Sequence, residues 1–176
     1  MFHKFSKKIS MIYSFFLIIA LIAIDQLTKL LAVSNLKDKS DFIIIPNVFQ
    51  LHYLENTGAA FSILEGKQIV FAIVTPILLL ALLFMLIRMP QNKKFTCLNY
   101  IIIFLIAGAI GNYIDRITNN YVVDFLYFSL INFPVFNVAD CYVTVSIFLL
   151  LFLVLFYYKD EDLEEIKLSL KFRKNG

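Results

Sequence analysis

Four long apolar stretches constrain the fold of this chain more than any other feature. About 20 helical residues at 1.5 Å rise per residue cross the ~30 Å hydrocarbon core of a bilayer. Only 16% of the 176 residues are charged, against about 25% in average soluble domains. The stretches predict transmembrane helices over about 11–32, 69–88, 98–117 and 138–158. We therefore expect an integral membrane protein, with one domain covering residues 1–176.

The segment from residue 34 to residue 67 is different in kind. Its apolar runs, Phe42–Ile45 and Val48–Leu54, are β-like and are separated by a Pro46-Asn47 turn signal. The segment is too short and too interrupted to span a membrane as a helix, so it predicts a small sheet or half-barrel against one membrane face. Apolar residues at 61–64 suggest a short interfacial element before the next helix. The predicted fold class is a membrane all-α protein with a small β element.

A second connection between predicted helices, residues 118–136, contains two more apolar β-like runs, around Asp124 and Leu130. Lysine and arginine concentrate on the side of the membrane opposite to these β-like segments, and the positive-inside rule makes that side cytoplasmic. These basic residues precede the first span, follow the second or follow the fourth: Lys4, Lys7, Lys8, Arg88, Lys93, Lys94 and Lys159. Both termini are therefore expected in the cytoplasm, and the β-like segments outside.

Two aspartates are the strongest candidates for chemistry. Asp124 lies between valine and phenylalanine residues, where desolvation should raise its pKa. Asp140 begins the fourth helix, where Asn137 is positioned as an N-cap and the helix dipole favours negative charge. Two carboxylates with different proton affinities can activate a water for attack on an amide. A capping aspartate and a loop aspartate explain the same pattern, and the residues alone leave both readings open.

Other polar residues cluster toward the same side of the membrane. Asp25 and Lys29 are four residues apart on the first helix, which indicates an ion pair closing a helix end. Asn56 and Gly58 form a turn signal. The same turn is equally consistent with a site at which Gly58 and Ala59 leave room for a substrate backbone and Asn56 offers it a hydrogen bond.

On the third helix, small and polar residues recur at spacings of three and four and so share one face: Gly108, Gly111, Asn112 and Asp115. Small residues permit close helix packing. An Asp115–Arg116 ion pair is the simplest structural explanation of the polar patch at the end of this helix. We expect the patch to support a site more than to perform chemistry itself.

No metal or other cofactor is predicted. His3 and His52 lack metal-ligand partners at useful spacing, and no glycine-rich phosphate loop is present. Cys97 and Cys141 fall at opposite membrane faces and should not pair. A small transporter with aspartates as proton relays is an alternative function, but a relay would place carboxylates at several depths, whereas these gather at one face. A purely structural subunit would leave the desolvated Asp124 unexplained.

Five short motifs follow one another from the first helix to the fourth: Asp25-Gln-Leu-Thr-Lys29, Asn56-Thr-Gly-Ala-Ala-Phe61, Gly108-Ala-Ile-Gly-Asn-Tyr-Ile-Asp-Arg116, Val123-Asp-Phe125 and Phe136-Asn-Val-Ala-Asp140. Singly each is weak, but in this order on these elements they are specific. Together they resemble the motifs of signal peptidase II, a family of bacterial membrane aspartic peptidases. One departure is Ala107, where the family usually has glycine. Alanine is also small, so we expect no change of function.

The resemblance implies an enzyme that cuts the signal peptide from a prolipoprotein just before a diacylglyceryl-modified cysteine. It also implies four transmembrane helices with an extracytoplasmic β-cradle and a short lid helix, and it makes Asp124 and Asp140 the catalytic pair. The positions that match lining or supporting residues are Asp25, Lys29, Asn56, Gly58, Gly108, Asn112, Arg116, Asn137 and Ala139. The expected partners are lipid-modified prolipoproteins and membrane lipid, with no nucleic acid and no obligate protein partner. The expected location is the bacterial cytoplasmic membrane, with the site near its outer face.

Overall fold

The computed structural model describes residues 7–58 and 68–171 of the chain. The α-helices in this part are α1 Lys7–Leu36, α2 Gln68–Arg88, α3 Thr96–Asn119, α4 Val138–Phe152 and α5 Asp160–Leu170. A π-helical turn, Leu153–Tyr157, extends α4. Four helices in this part of the chain, α1 to α4, are long and apolar enough to cross a membrane, which confirms the four predicted spans. The interfacial element predicted at 61–64, and Ala59, lie outside the described residues.

Helix α3 is the centre of the bundle. Its most apolar stretch is 44% buried inside the protein, against 22%, 11% and 17% for those of α1, α2 and α4. The core along α3 is built from aliphatic side chains such as Ile101, Ile102 and Ile106. The other three helices bury a narrow face against it and leave their remaining apolar surface exposed, as expected for helices surrounded by lipid.

A three-stranded antiparallel sheet lies at one end of the bundle. Its strands are β1 Phe42–Ile45, β2 Phe49–Asn56 and β3 Val122–Tyr127, in the order β1-β2-β3. The hairpin between β1 and β2 turns at Asn47, whose φ of 59° is left-handed, a conformation that asparagine tolerates. The small sheet predicted from residues 34–67 is confirmed, although α1 continues to Leu36 before it begins. The run around Asp124 supplies the third strand.

The β-like run predicted around Leu130 is wrong. Residues Ser129–Ile131 form a 3₁₀ turn that ends at Asn132, whose φ of 49° is left-handed. The Phe133 N–H donates to the Phe128 carbonyl, 3.1 Å away, and closes the turn. Leu130 is exposed there. The apolar composition of this run therefore belongs to an exposed turn and not to a strand.

Helices α3 and α4 are in close contact at Gly108. A Cβ atom at this position would lie 2.7 Å from the Ala139 carbonyl oxygen and 2.8 Å from Cγ2 of Val143. The close packing predicted from the small residues of the third helix is thus confirmed. The contact brings the N-terminus of α4, with Asn137 and Asp140, against the middle of α3.

Helix α5 lies at the opposite end of the bundle from the sheet. Its first turn is capped by the Asp162 carboxylate, which accepts from the Lys159 N–H at 2.9 Å. Asp162 also pairs with Lys94, and Ile166 packs against the hydrophobic core. Helix α5 therefore covers the connection between α2 and α3 at the surface of the protein.

The Gly108 contact generates a stability prediction. Gly108→Ala should lower the stability of the purified protein by about 1–3 kcal/mol, the usual cost of overpacking, because the added methyl meets backbone as well as a side chain. Thermal unfolding in detergent measures the change. Asn119→Gln adds one methylene to an exposed position of the same helix and should leave the melting temperature unchanged. Equal melting temperatures for Gly108→Ala and the wild type would contradict the contact.

Candidate active site

A buried ion cluster joins α1 to α3 on the sheet side of the bundle. The Lys29 ammonium lies 2.9 Å from Oδ2 of Asp25 and 3.1 Å from Oδ2 of Asp115. Asp25 is 0% exposed, and Lys29 and Asp115 are each 3% exposed. The predicted Asp25–Lys29 pair is confirmed, but it is shared with a second carboxylate from the central helix. One ammonium thus faces two carboxylates, so further donors are needed to stabilise the second negative charge.

Backbone and amide groups supply these donors. The Ala139 N–H, in the first turn of α4, donates to Oδ1 of Asp25 at 2.9 Å. The Val123 N–H, on β3, donates to Oδ2 of Asp115 at 3.1 Å. The amide of Gln26 donates to Oδ1 of Asp115 at 3.0 Å. The cluster therefore connects α1, α3, α4 and β3, four of the elements that carry the site.

The predicted Asp115–Arg116 ion pair is wrong. Adjacent residues on a helix point in different directions and do not face each other. Arg116 instead donates to the Gly58 carbonyl at 3.0 Å and to the Asn112 carbonyl at 3.3 Å. Its guanidinium also lies over the Phe71 ring, 4.4 Å from the ring centre. Arg116 thus fixes the loop after β2 against α3 and α2.

Asn112 connects the ion cluster to Asp140. Its side-chain oxygen accepts from the Lys29 ammonium at 2.9 Å, and its side-chain nitrogen donates to Oδ1 of Asp140 at 2.7 Å. Lysine has only donors, so the Asn112 oxygen must face Lys29. The amide N–H₂ must then face Asp140. The ammonium therefore fixes the orientation of the amide that holds this carboxylate.

Asn137 and Asp140 form a reciprocal cap at the start of α4. The Asp140 N–H donates to the Asn137 side-chain oxygen at 3.0 Å, and the Asn137 N–H donates to Oδ2 of Asp140 at 3.1 Å. The predicted N-cap is confirmed. The cap uses the side-chain oxygen of Asn137, so the side-chain nitrogen of Asn137 is free to donate to other residues. This nitrogen donates to the Asn112 side-chain oxygen at 3.1 Å and to Oδ1 of Asp124 at 2.6 Å.

Asp124 lies on β3 and is 1% exposed. Its second oxygen, Oδ2, accepts from the Asn56 amide at 2.8 Å. The Gly58 N–H donates to the Asn56 side-chain oxygen at 2.9 Å and so fixes which end of that amide faces Asp124. Burial raises the pKa of Asp124 to about 7, with the neighbouring negative charge of Asp140 adding to the effect. Close to neutral pH this carboxyl therefore holds a proton for much of the time.

These contacts bring nearly all of the candidate residues into one cluster. Gly108 and Gly111 allow the close approach, since a Cβ at Gly111 would lie 2.5 Å from Oδ2 of Asp25. Gln26 and Phe71 belong to the cluster but were missed in the sequence. Gln26 lies three residues before Lys29 on α1, a helical spacing that could have indicated it. Nothing in the sequence of α2 indicates that Phe71 lies under a guanidinium.

The cluster has the chemistry of an acid–base pair. Two carboxyl groups are held by the same asparagine, and one of them has a pKa close to neutral. Such a pair can hold one proton while its other member stays ionised. No group of three or more His, Cys, Asp or Glu side chains within 7–58 and 68–171 is arranged to hold a metal ion.

Known proteins are similar to this chain in sequence and in fold. The sequence profile of the signal peptidase II family matches residues 17–156. Lipoprotein signal peptidase of Streptococcus thermophilus is 43% identical over 145 residues, covering 82% of this chain and 92% of that protein. The one from Clostridioides difficile is 44% identical over 141 residues, covering 80% and 93%.

Two solved bacterial membrane enzymes have the same architecture. One is 31% identical, with a TM-score of 0.73 over 93% of this chain and 94% of that one. The other is 32% identical, with a TM-score of 0.70 over 83% and 94%. The family profile, the relatives and the solved structures agree with the four spans and the small sheet. The chain therefore belongs to the signal peptidase II family of membrane aspartic peptidases, which process prolipoproteins.

Proposed function

We propose that Asp124 and Asp140 are the catalytic residues of this peptidase and hold one proton between them. The observation that carries the proposal is their common partner, Asn137. Its side-chain nitrogen donates to Asp124 at 2.6 Å, and its backbone N–H donates to Asp140 at 3.1 Å. One residue thus sets the positions of both carboxyls, one from the sheet and one from a helix start.

The surroundings of the two carboxyls support different roles. Asp124 is desolvated and has a pKa of about 7, so it is the better proton carrier at neutral pH. Asp140 lies at the N-terminus of α4, where the helix dipole stabilises negative charge, and it accepts from the backbone N–H of Asn137. Asp140 therefore acts as the base, and Asp124 as the acid, in the first half of the reaction.

The proton movements then balance over one cycle. Asp140 accepts a proton from a water as the water oxygen attacks the scissile carbonyl carbon, and protonated Asp124 donates its proton to the carbonyl oxygen. The neutral tetrahedral intermediate collapses as ionised Asp124 takes the hydroxyl proton back. Asp140 delivers its proton to the leaving amine. The pair ends with one proton, on Asp124, as it began.

The remaining residues of the cluster support this pair. Asn112 and Asn56 each donate to one carboxyl, and Lys29, Asp25 and Asp115 hold Asn112 and the surrounding elements in place. Gly58 is the proposed contact for the substrate backbone, and Ala59 belongs to the same proposal. Arg116 supports Gly58 by donating to its carbonyl.

The proposed substrate is a prolipoprotein with a diacylglyceryl-modified cysteine, cut just before that cysteine. A lipid-anchored substrate keeps its scissile bond near the membrane surface. The site lies where the transmembrane helices meet the sheet, which is the level such a bond would reach. The distribution of lysine and arginine supports cytoplasmic termini, and thus a site near the outer face of the bacterial cytoplasmic membrane.

Neutralising either carboxyl should abolish peptidase activity. Asp124→Asn and Asp140→Asn should each lower kcat about 10²–10⁴-fold, the usual contribution of general acid–base catalysis, because an amide neither accepts nor donates the transferred proton. Release of the signal peptide from a purified diacylglyceryl-modified prolipoprotein measures the rate. Asp41→Asn is the matched control, since Asp41 pairs with His52 on the exposed part of the sheet. Cleavage at wild-type rate by either site variant would overturn the catalytic assignment.

The shared proton predicts a pH dependence. Cleavage should fall as the pH rises through about 7, because the pair then loses the proton that polarises the carbonyl. The Asn56 amide stabilises ionised Asp124, so Asn56→Ala should raise the pKa of Asp124 and move the alkaline limb of kcat/KM upward.

Gln50→Ala is the matched control for that profile. Gln50 donates an equivalent amide hydrogen bond to Asp41, 2.6 Å away, on the exposed side of the sheet. Its removal should leave the pH profile unchanged. An alkaline limb that stays in place, or moves downward, in Asn56→Ala would refute the role of Asp124 as the proton carrier.

The proposed reaction uses two carboxyls and a water, so chelators should not affect it. Dialysis of the purified protein against EDTA should leave the rate of signal-peptide release unchanged in the diacylglyceryl-prolipoprotein assay. Loss of activity that added zinc restores would contradict the proposed mechanism.

A further inference from the structure

A groove of about 650 Å³ lies between the last turns of α1 and the sheet. Most of its wall is apolar, from Leu31, Ala32 and Leu36 of the helix and Leu51 and Phe125 of the sheet. Small-molecule pockets are typically about 300–1,000 Å³, so the space suits a lipid-sized ligand. The peptidase mechanism proposed above uses none of these residues.

The sheet separates this groove from the catalytic pair. Successive side chains of a β-strand point to opposite faces. On β3, Phe125 therefore faces the groove while Asp124 faces Asn137 and Asn56. A ligand in the groove would lie behind the strand that carries Asp124. The groove is a second site and no extension of the first.

One end of the groove is polar and carries an unneutralised cation. Asn35, Lys39, Ser40 and Asp41 line this end. The Lys39 ammonium donates to the Ser34 carbonyl at 2.9 Å, and no carboxylate of the described residues lies within 4.0 Å of it. Asp41, the nearby acid, accepts instead from His52 and Gln50. Lys39 is thus available to an anionic group.

The groove lies at the level of a membrane interface. Helix α1 continues to Leu36, whereas the predicted span ends at about residue 32, so its last turn reaches the headgroup region. Strand β1 is entirely apolar and exposed along its length, with Phe42, at the groove, 61% exposed. An apolar groove next to exposed apolar surface, with a lysine at its polar end, matches the two halves of a phospholipid.

We propose that this groove binds one anionic phospholipid of the surrounding leaflet. An acyl chain lies along Leu31, Leu51 and Phe125, and the phosphate meets the Lys39 ammonium. The bound lipid fills the space behind β3 and so supports the strand that carries Asp124. This site is additional to the peptidase function, and lipid binding can be measured without any cleavage.

The chain has no tryptophan, which makes a single fluorescent reporter possible. Phe42→Trp places the reporter at the groove, at an exposed position where the larger ring can be accommodated. Ile45→Trp is the matched control, since it is on the same strand and 51% exposed but does not line the groove. Each variant is reconstituted into vesicles of zwitterionic phospholipid, with brominated phosphatidylglycerol or brominated phosphatidylcholine added at low mole fraction.

Quenching of Phe42→Trp should saturate at low fractions of brominated phosphatidylglycerol, with about fivefold weaker apparent affinity for brominated phosphatidylcholine, as expected for one lysine at a membrane surface. Ile45→Trp should be quenched in proportion to the amount of either lipid. Adding Lys39→Gln to Phe42→Trp should remove the preference. Adding Lys37→Gln makes the same charge change two residues away, at a lysine paired with Glu55, and should preserve it.

Equal, non-saturating quenching of Phe42→Trp by both lipids would overturn the proposal. An equal loss of the preference for phosphatidylglycerol in the Lys39→Gln and Lys37→Gln variants would also overturn it. The diacylglyceryl group of the substrate is the other ligand that could fill the groove, and a kinetic test separates it from a phospholipid. If that group filled the groove, Lys39→Gln would raise KM for the lipid-modified prolipoprotein. We expect KM to change by less than about twofold, because removal of a group that does not bind the substrate leaves KM unchanged. A larger rise would refute occupancy of the groove by a phospholipid.

Discussion

The buried ammonium of Lys29 is the interaction on which the rest of the site depends. It lies about 3 Å from carboxylates of α1 and α3, Asp25 and Asp115, in the part of the bundle that water does not reach. Removing one member of a buried ion pair costs about 3–5 kcal/mol, because the other charge is left uncompensated. The same ammonium requires the oxygen of Asn112 to face it. The Asn112 nitrogen is thereby turned to Asp140, so an ion pair between helices is linked through one side chain to a proposed catalytic carboxyl.

The other carboxyl is positioned by the sheet. Asp124 stands opposite Leu54 in the β2–β3 register, close to the Asn56 that donates to it. Asn137 then joins the sheet to the start of α4. The proposed acid and base thus come from separate layers of the fold, and their spacing depends on how closely α4 approaches α3 at Gly108. A shift of either layer would separate the two carboxyls without altering either residue.

The sequence predicted the parts of this arrangement that depend on short-range spacing. The four spans, the i,i+4 pair of Asp25 with Lys29 and the N-cap at Asn137 follow from patterns within one element. Partners across elements did not follow from spacing. Asp115 was assigned to its neighbour in the sequence but pairs with Lys29 on another helix. Apolar runs were equally ambiguous, since an exposed turn, such as that at Leu130, can have the composition of a strand.

The central claim is that Asp124 and Asp140 hold one proton between them. Infrared spectroscopy of the purified protein measures this directly through the C=O band of protonated carboxyl groups. We predict one such band that titrates with a midpoint of about pH 7, is absent from Asp124→Asn and is retained in Asp41→Asn. A band that persists unchanged in Asp124→Asn, or no protonated carboxyl below pH 7 in the wild type, would contradict the account.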